Sequence, residues 1–518
     1  MGAAVITAGY AVVVTWAAAN HEPWRDEVVP LSIARAARSL ADLAAPLKFE
    51  GHPILWYLLI WCGYGLVGRT WVLKAASVGS ALGAVFLVNR SALPWWVRLA
   101  FSFSFFPLYQ YSVISRGYSL EMLLLFAFCA LHPHRGRRPL AIALLLGALA
   151  NTEAFGLIMA VAAGAMLAVE SVASGSWRRL RSDRRVQGAV VVFVCALMLA
   201  TAVAFPDAGH RGTGVRQLDL SSVAVGVGRA ILQPAGHVGS LAIVPLPSLW
   251  VWGYFLYLSR RPPVLCFAAI ALVGIEVLFN LVHGPGAAWH LGNSVLVIVA
   301  AMWLDASATG PIATAPRTLG RARMWLGWVL TAGVAIMLIG QVRLAVQHLD
   351  LERRYEYSSN RALAALLAHD PTLTGAVVMG EPDLPLWSLP YYADNRIYLA
   401  REDAYRAWGM FAPPRRVDYD LGALLAAARR VRGECACPVV VTMGWDLGQA
   451  GTAVNFAGSR FEEHFVISPD ARAEFLAATR RVASLLGPTI TDERYEVYVL
   501  DAPGLGSDEH PPPGRPSG

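Results

Sequence analysis

Pro53-Ile-Leu-Trp-Tyr-Leu-Leu-Ile-Trp-Cys-Gly-Tyr-Gly-Leu-Val67 is the stretch on which the threading of this chain turns. It is apolar and rich in Trp and Tyr, yet short, since a helix needs about 20 apolar residues to cross a hydrocarbon core. Other apolar runs lie at 3–19, 71–89, 99–114, 118–131, 139–150, 154–169, 188–205, 240–258, 263–282, 290–304 and 325–346. If residues 53–67 stay on one side of the membrane, five basic clusters share the opposite side. These are Arg90/Arg98, Arg135/Arg137/Arg138, Arg178/Arg179/Arg181/Arg184/Arg185, Arg260/Arg261 and Arg317/Arg321/Arg323. Such an arginine excess marks cytoplasmic loops. If residues 53–67 cross, every later loop inverts and the rule fails throughout. The stretch is therefore expected to form an interfacial or re-entrant helix, in keeping with the aromatic enrichment of membrane surfaces. The chain is then expected to be a polytopic α-helical membrane protein of eleven spans with its N-terminus inside.

Composition points the same way. Of 518 residues, 56% are hydrophobic and 15% charged, with a mean hydropathy of +0.47, whereas soluble domains carry roughly 25% charged residues. The formal charge of +7 comes largely from arginines grouped between apolar runs, which is a topology signal and not a nucleic-acid surface. The bilayer is the expected partner, and nucleic acid is not. Cys62, Cys129, Cys195 and Cys266 lie in apolar runs, and only Cys435 and Cys437 lie in polar sequence. No disulfide framework is legible. Cys435-Ala-Cys437 lacks further ligands at metal spacing, so both are expected to be plain thiols.

Ala17-Ala18-Ala19 would suit signal cleavage, but residues 3–19 lack a basic leader and many spans follow, so this run is expected to be the first transmembrane helix. The outer loop after it opens with Asn20-His21-Glu22-Pro23-Trp24-Arg25-Asp26-Glu27, which sets three carboxylates and an arginine at the membrane surface. Beyond, Val29, Ile33, Ala36, Leu40, Leu43 and Leu47 recur at helical spacing, with Arg35, Arg38 and Asp42 opposite. That pattern predicts an amphipathic helix lying on the bilayer, the second interfacial helix of this loop. The other outer segments are Ser115-Arg-Gly-Tyr118, Asn151-Thr-Glu153, residues 206–239 and His283–His290, which with the first loop hold most acids, histidines and glycines of the membrane half.

From 347 onward the sequence turns polar, and parity puts it outside. Ala376-Val-Val-Met, Pro438-Val-Val-Val-Thr and Tyr495-Glu-Val-Tyr-Val-Leu predict strands, while Leu421–Val431 and Ala471–Leu486 predict helices. Three regions follow: a transmembrane domain over 1–346, a small extracytoplasmic α/β domain over 347–505, and a proline-rich, disordered tail over 506–518.

A first span, an outer loop with the Asp26-Glu27 pair, a surface helix, then Gly51-His52-Pro53 opening an aromatic helix: this order resembles the GT-C superfamily of membrane glycosyltransferases. Within it, the chain is most similar to the bacterial branch related to aminoarabinose and protein O-mannosyl transferases. The resemblance covers residues 1 to about 345. It implies a multi-pass enzyme of the bacterial plasma membrane, taking a sugar from a polyprenyl phosphate, with Asp26 as the catalytic base or, as in some branches, a metal ligand, and Glu27 its neighbour.

The residues allow the same roles. A polyprenyl phosphate leaves as a stable anion, so the reaction needs a base for the acceptor hydroxyl and cations for the phosphate. A carboxylate such as Asp26 supplies the base. Arg116, in an outer turn at a membrane boundary, supplies a planar fork for phosphate oxygens. Arg25, Lys48, His52 and His290 are further candidates for donor phosphate or sugar, and Glu153, an ionisable group beside an apolar run, belongs with them. Asp26 and Glu27 are also what a helix N-terminus favours, and an arginine at a boundary also snorkels. Asp26, Glu27 and Glu153 could gather around a divalent ion, but their spacing does not demand one, and no metal or other cofactor is expected. No glycine pattern supports nucleotide chemistry. The acceptor, whether glycan, lipid or protein, is not encoded. Two other classes stay open: a non-catalytic transporter or flippase-like protein, and an envelope scaffold.

Overall fold

The computed structural model describes residues 2–178, 182–205, 218–228, 245–283, 288–308, 320–409, 415–457 and 462–500. Most of the expected outer loop 206–239, the tail 506–518, and Arg179, Arg181 and Arg317 of the basic clusters lie outside the described residues. The chain divides into two compact units, the first reaching Tyr357 and the second beginning at Ser358.

The first unit is helical. Its elements are α1 (Ala3–Asn20), α2 (Arg25–Ala36), α3 (Leu40–Ala44), α4 (Leu47–Glu50), α5 (Leu55–Val67), α6 (Val72–Asn89), α7 (Trp95–Ser102), α8 (Tyr118–Leu131), α9 (Pro139–Ala150) and α10 (Ala154–Ala173). They continue with α11 (Arg184–Ala204), α12 (Leu220–Gly226), α13 (Pro245–Leu258), α14 (Pro262–Leu278), α15 (Gly292–Ala306) and α16 (Gly320–Arg354). Seven of the described helical segments are long and apolar enough to cross a membrane: α1, α6, α10, α11, α14 extended to Leu281, Trp289–Ala306, and α16 from Met324. This is a multi-pass membrane protein. Helix α15 is buried at every residue from Gly292 to Ala301 and forms part of the bundle core. Helix α11 is the opposite, burying only Ala189 and Ala200 while exposing Val191, Met198 and Leu199. Apolar side chains displayed in that manner require an apolar solvent. A Cβ on Gly147 of α9 would lie 2.7 Å from the Ala196 Cβ of α11, so glycine there lets the two helices close up.

Two expectations for this unit are revised. Residues 99–114 do not form one helix, because α7 stops at Ser102 and a π-helical turn occupies Phe106–Gln110. Pro107 lacks an amide for the helical ladder. The Tyr111 N–H instead reaches Phe106 O at 2.7 Å, and the Tyr10 hydroxyl of α1 donates to Pro107 O at 2.6 Å. The amphipathic surface helix expected over Val29–Leu47 is instead three pieces, α2, α3 and α4. Ser39 accepts the Asp42 N–H at 3.1 Å and starts a new helix, the capping role that serine favours. Every residue of α2 from Glu27 to Ala34 is buried, against α5 and α6 among others, while Ala36 and Leu40 of the expected apolar stripe are exposed. It is a core element, not a surface one. The deciding stretch 53–67 does form a helix that is too short to span: the 13 residues of α5 extend about 20 Å at 1.5 Å each.

The second unit is α/β. Its strands are β1 (Val377–Glu381), β2 (Tyr398–Leu399), β3 (Ala404–Tyr405), β4 (Asp418–Asp420), β5 (Val439–Met443), β6 (Ala453–Ala457), β7 (Glu462–Val466), β8 (Arg480–Leu485) and β9 (Tyr495–Leu500), and its helices α17 (Asn360–His369), α18 (Leu421–Cys435) and α19 (Pro469–Ala478). One sheet runs β1-β5-β9-β8, a second β4-β7-β6, and β2 pairs with β3. Strands β1 and β5 are parallel and wholly buried, as their near-continuous valine runs require. The helix expected over Ala471–Leu486 ends at Ala478, and Arg480–Leu485 is strand β8, antiparallel to β9. The ladder on the β9 edge outweighs the local helical pattern there. Cys435 and Cys437 are not plain thiols but a disulfide, with an S–S distance of 2.02 Å.

Candidate active site

The end of α1 and the start of α2 are joined by a buried network of charge. Glu27 is the third residue of α2, and its Oε1 accepts the Trp24 N–H at 3.2 Å, capping the helix as an acid at that position does. The same oxygen lies 2.8 Å from His21 Nε2. Oε2 accepts the Ser115 N–H at 2.5 Å. His21 Nδ1 lies 2.9 Å from Glu352 Oε1 near the end of α16, and the Tyr109 hydroxyl donates to that same oxygen. Lys74 of α6 donates to the carbonyls of Ala18 at 2.7 Å and His21 at 2.6 Å, and Glu22 accepts the Tyr357 N–H at 3.0 Å.

Asp26 and Arg116 stand at the edge of this network. Arg116 Nη1 donates to Asp26 Oδ2 at 3.1 Å, with side-chain exposures of 13% for the arginine and 33% for the aspartate. The guanidinium also lies 5.3 Å from the centre of the Tyr118 ring. Burial works against its charge, but Tyr118, Asp26, Glu153 and Tyr57 outweigh burial and hold its pKa above the usual arginine range. Two carboxylate neighbours, Asp26 and Glu153, therefore surround one fixed cation.

Glu153 is the residue that precedes α10 and is buried. A Cβ on Gly117 would collide with Glu153 Oε1, so glycine there lets this carboxylate sit against the Arg116 turn without shifting. His52 Nδ1 comes within 2.7 Å of Glu153 Oε2, and its side chain is 23% exposed. The backbone sets this pair: Gly51 closes α4 at φ 71°, and the Leu55 N–H donates to Asn151 O at 2.8 Å, fastening the start of α5 to the turn before Glu153. His290 packs among Phe155, Phe279, Trp289 and Tyr118, so it borders the Tyr118 side of the site. The guanidinium of Arg25 lies 5.1 Å from the Trp24 ring centre, and Lys48 is half-buried on α4.

Asp26, Arg116, His52 and Glu153, expected as site residues from separate segments, thus converge. Glu27 differs from its neighbour: it is completely buried and its carboxylate meets three residues, His21, Trp24 and Ser115. His21, Lys74, Tyr109 and Glu352 were not anticipated. Lys74 carried a legible signal, a single lysine inside an apolar run, because such a charge is costly unless it has partners. Among the described residues, no three His, Cys, Asp or Glu side chains are grouped to hold a metal ion.

Two crystal structures share this fold, ArnT from Cupriavidus metallidurans bound to undecaprenyl phosphate and the same protein in the apo state. The TM-score is 0.52 for each, at 15% and 16% sequence identity, covering 96% of this chain and 98% of theirs. No protein-family model and no curated protein matches the chain. The chain therefore shares the fold of ArnT over nearly its whole length.

Proposed function

We propose that this chain transfers a sugar from a polyprenyl-phosphate-linked donor to an acceptor hydroxyl at the outer face of a bacterial plasma membrane. The observation that carries the reading is the Asp26–Arg116 pair, 3.1 Å apart and partly open at the edge of an otherwise buried network. The shared fold supports it, since one of the ArnT structures holds undecaprenyl phosphate.

In this reading Arg116 holds two oxygens of the donor phosphate with its planar fork. Asp26, released from part of that pairing, accepts the proton of the acceptor hydroxyl. The acceptor oxygen attacks the anomeric carbon as the bond to the phosphate oxygen breaks. The electron pair leaves with the polyprenyl phosphate, which needs no proton, and the anomeric centre inverts in a single displacement. His52 binds donor hydroxyls or phosphate, and Glu153 accepts hydrogen bonds from donor hydroxyls. Glu27 serves by holding Asp26, and the second unit lies outside the membrane.

The test is mass spectrometry of envelope glycans from cells expressing the wild type or Asp26→Asn, with undecaprenyl phosphate binding measured on the purified proteins. The variant is expected to lose product by a factor of about 10²–10⁴, the usual contribution of a general base, while still binding the lipid phosphate. Undiminished product would remove Asp26 from the mechanism.

A further inference from the structure

We infer that His21 is a positioning residue, an imidazolium clamped between Glu27 and Glu352 that sets how Asp26 and Arg116 meet. The inference rests on the proposed roles of those two residues.

His21 is completely buried, and each ring nitrogen faces a carboxylate oxygen, Glu27 at 2.8 Å and Glu352 at 2.9 Å. An ionised carboxylate only accepts hydrogen bonds. A neutral imidazole would therefore turn a lone pair on one of the two acids, and only the doubly protonated ring satisfies both. Glu27 faces His21 from α2 and Glu352 from α16, where Tyr109 joins it and His348 lies one turn back. The Tyr357 ring meets His21 edge-on at 4.6 Å, and Lys74 of α6 is held on the backbone carbonyl of His21. Burial lowers the affinity of His21 for a proton, but Glu27 and Glu352 more than offset that, and its pKa is raised to about 9.

The clamp transmits its position through Glu27. Asp26 precedes Glu27, and Arg116 follows Ser115, whose N–H is held by the second Glu27 oxygen. One carboxylate thus fixes both backbones whose neighbouring side chains meet at 3.1 Å. With His21 neutral, Glu27 loses the cation that offsets its burial, its hold on the Trp24 and Ser115 amides loosens, and both backbones shift together.

The experiment follows imidazole ¹⁵N shifts of the full-length protein in nanodiscs, together with undecaprenyl phosphate binding between pH 7 and 10. At pH 8 the spectrum is expected to contain a histidine with protons on both nitrogens whose signal is absent from His21→Gln. Wild-type binding is expected to fall as pH rises through about 9. Glu352→Gln, which touches neither Asp26 nor Arg116, is expected to move that fall at least about one pH unit lower, as loss of a nearby opposite charge does. A neutral His21 at pH 8, or an unmoved pH profile in Glu352→Gln, would overturn the inference. A wild type that binds no undecaprenyl phosphate at any pH would instead defeat the functional reading, and the histidine signal would still report the state of the clamp.

Discussion

The two units each bury a cluster of charge and balance it with different cations. In the first, Glu27 and Glu352 flank a histidine. In the second, Glu381, Asp383, Glu402 and Glu463 surround two guanidiniums, Arg401 and Arg415. Arg401 meets both oxygens of Glu381 and donates to the carbonyls of Arg416 at 2.9 Å and Val417 at 2.7 Å. Arg415 meets both oxygens of Asp383 and also bonds Glu402 and Glu463. Guanidiniums do not titrate in the physiological range, and these donors are spent on neighbours inside the unit. The first cluster instead ends in Asp26, Arg116 and His52, which keep part of their surface open. The first cluster thus keeps donors and acceptors at the surface, and the second keeps none of its guanidinium donors there.

Breaking the closed cluster is expected to produce the largest effect on stability. Arg401→Met removes the cation from Glu381 and leaves that carboxylate buried, and takes one of two guanidiniums from Glu463, which Arg415 still holds. Removing one partner of a buried ion pair costs about 3–5 kcal/mol. Hydrogen exchange of the reconstituted protein should show protection of β1 and β7 falling together, because Glu381 and Glu463 lie on those strands. Unchanged protection would mean that the cluster does not hold the two sheets in place.

A smaller effect of the same cluster is its pH dependence. Burial pushes the Glu381 carboxyl up, Arg401 opposes, and Asp383 with Glu463 reinforces the rise, to about 7. A carboxyl whose folded value exceeds its unfolded value of 4.5 contributes stability that is complete below the unfolded value and is lost as pH rises through the folded one. The second unit is therefore expected to lose up to about 3 kcal/mol between pH 4.5 and 7, since each tenfold difference in proton affinity between the folded and unfolded chain is worth about 1.4 kcal/mol. Glu381→Gln, which cannot titrate, should flatten that slope in unfolding measurements across the window. A slope equal to that of the wild type would assign the pH dependence to another group.

How much of this was legible follows from what each signal measures. The length and aromatic content of residues 53–67 reported a helix too short to span, because length is a local property. The valine runs of β1 and β5 announced buried strands for the same reason. Asp26, Arg116, His52 and Glu153 could be grouped because each stands at the end of an apolar run, where polar groups of a bundle collect. The partners of His21 could not be found that way, since Glu352 lies 331 residues along the chain and only packing brings it near. Glu27 shows the same limit: its charge was visible, but not that Ser115 and His21 would enclose it. Strand β8 was also decided by a neighbour, the open edge of β9, whereas the interruption at Pro107 had a local sign, a proline inside an apolar run.

Arg116→Lys tests the open cluster against the closed one, and its expected cost to stability is the smallest. The Asp26–Arg116 pair is partly solvated, and exposed ion pairs contribute about 0.2–1 kcal/mol, so unfolding should change by no more than about 1 kcal/mol. Lysine keeps the charge but gives up the planar fork that can hold two phosphate oxygens at once. Undecaprenyl phosphate should therefore bind about tenfold more weakly, equivalent to about 1.4 kcal/mol, in a titration of protein in nanodiscs. The contrast with Arg401→Met is the informative quantity: one substitution should weaken the fold, the other mainly the ligand. If Arg116→Lys lowered stability as much as Arg401→Met and left lipid-phosphate binding intact, the Asp26–Arg116 pair would be a second structural cluster, and the phosphate would have to meet a different cation.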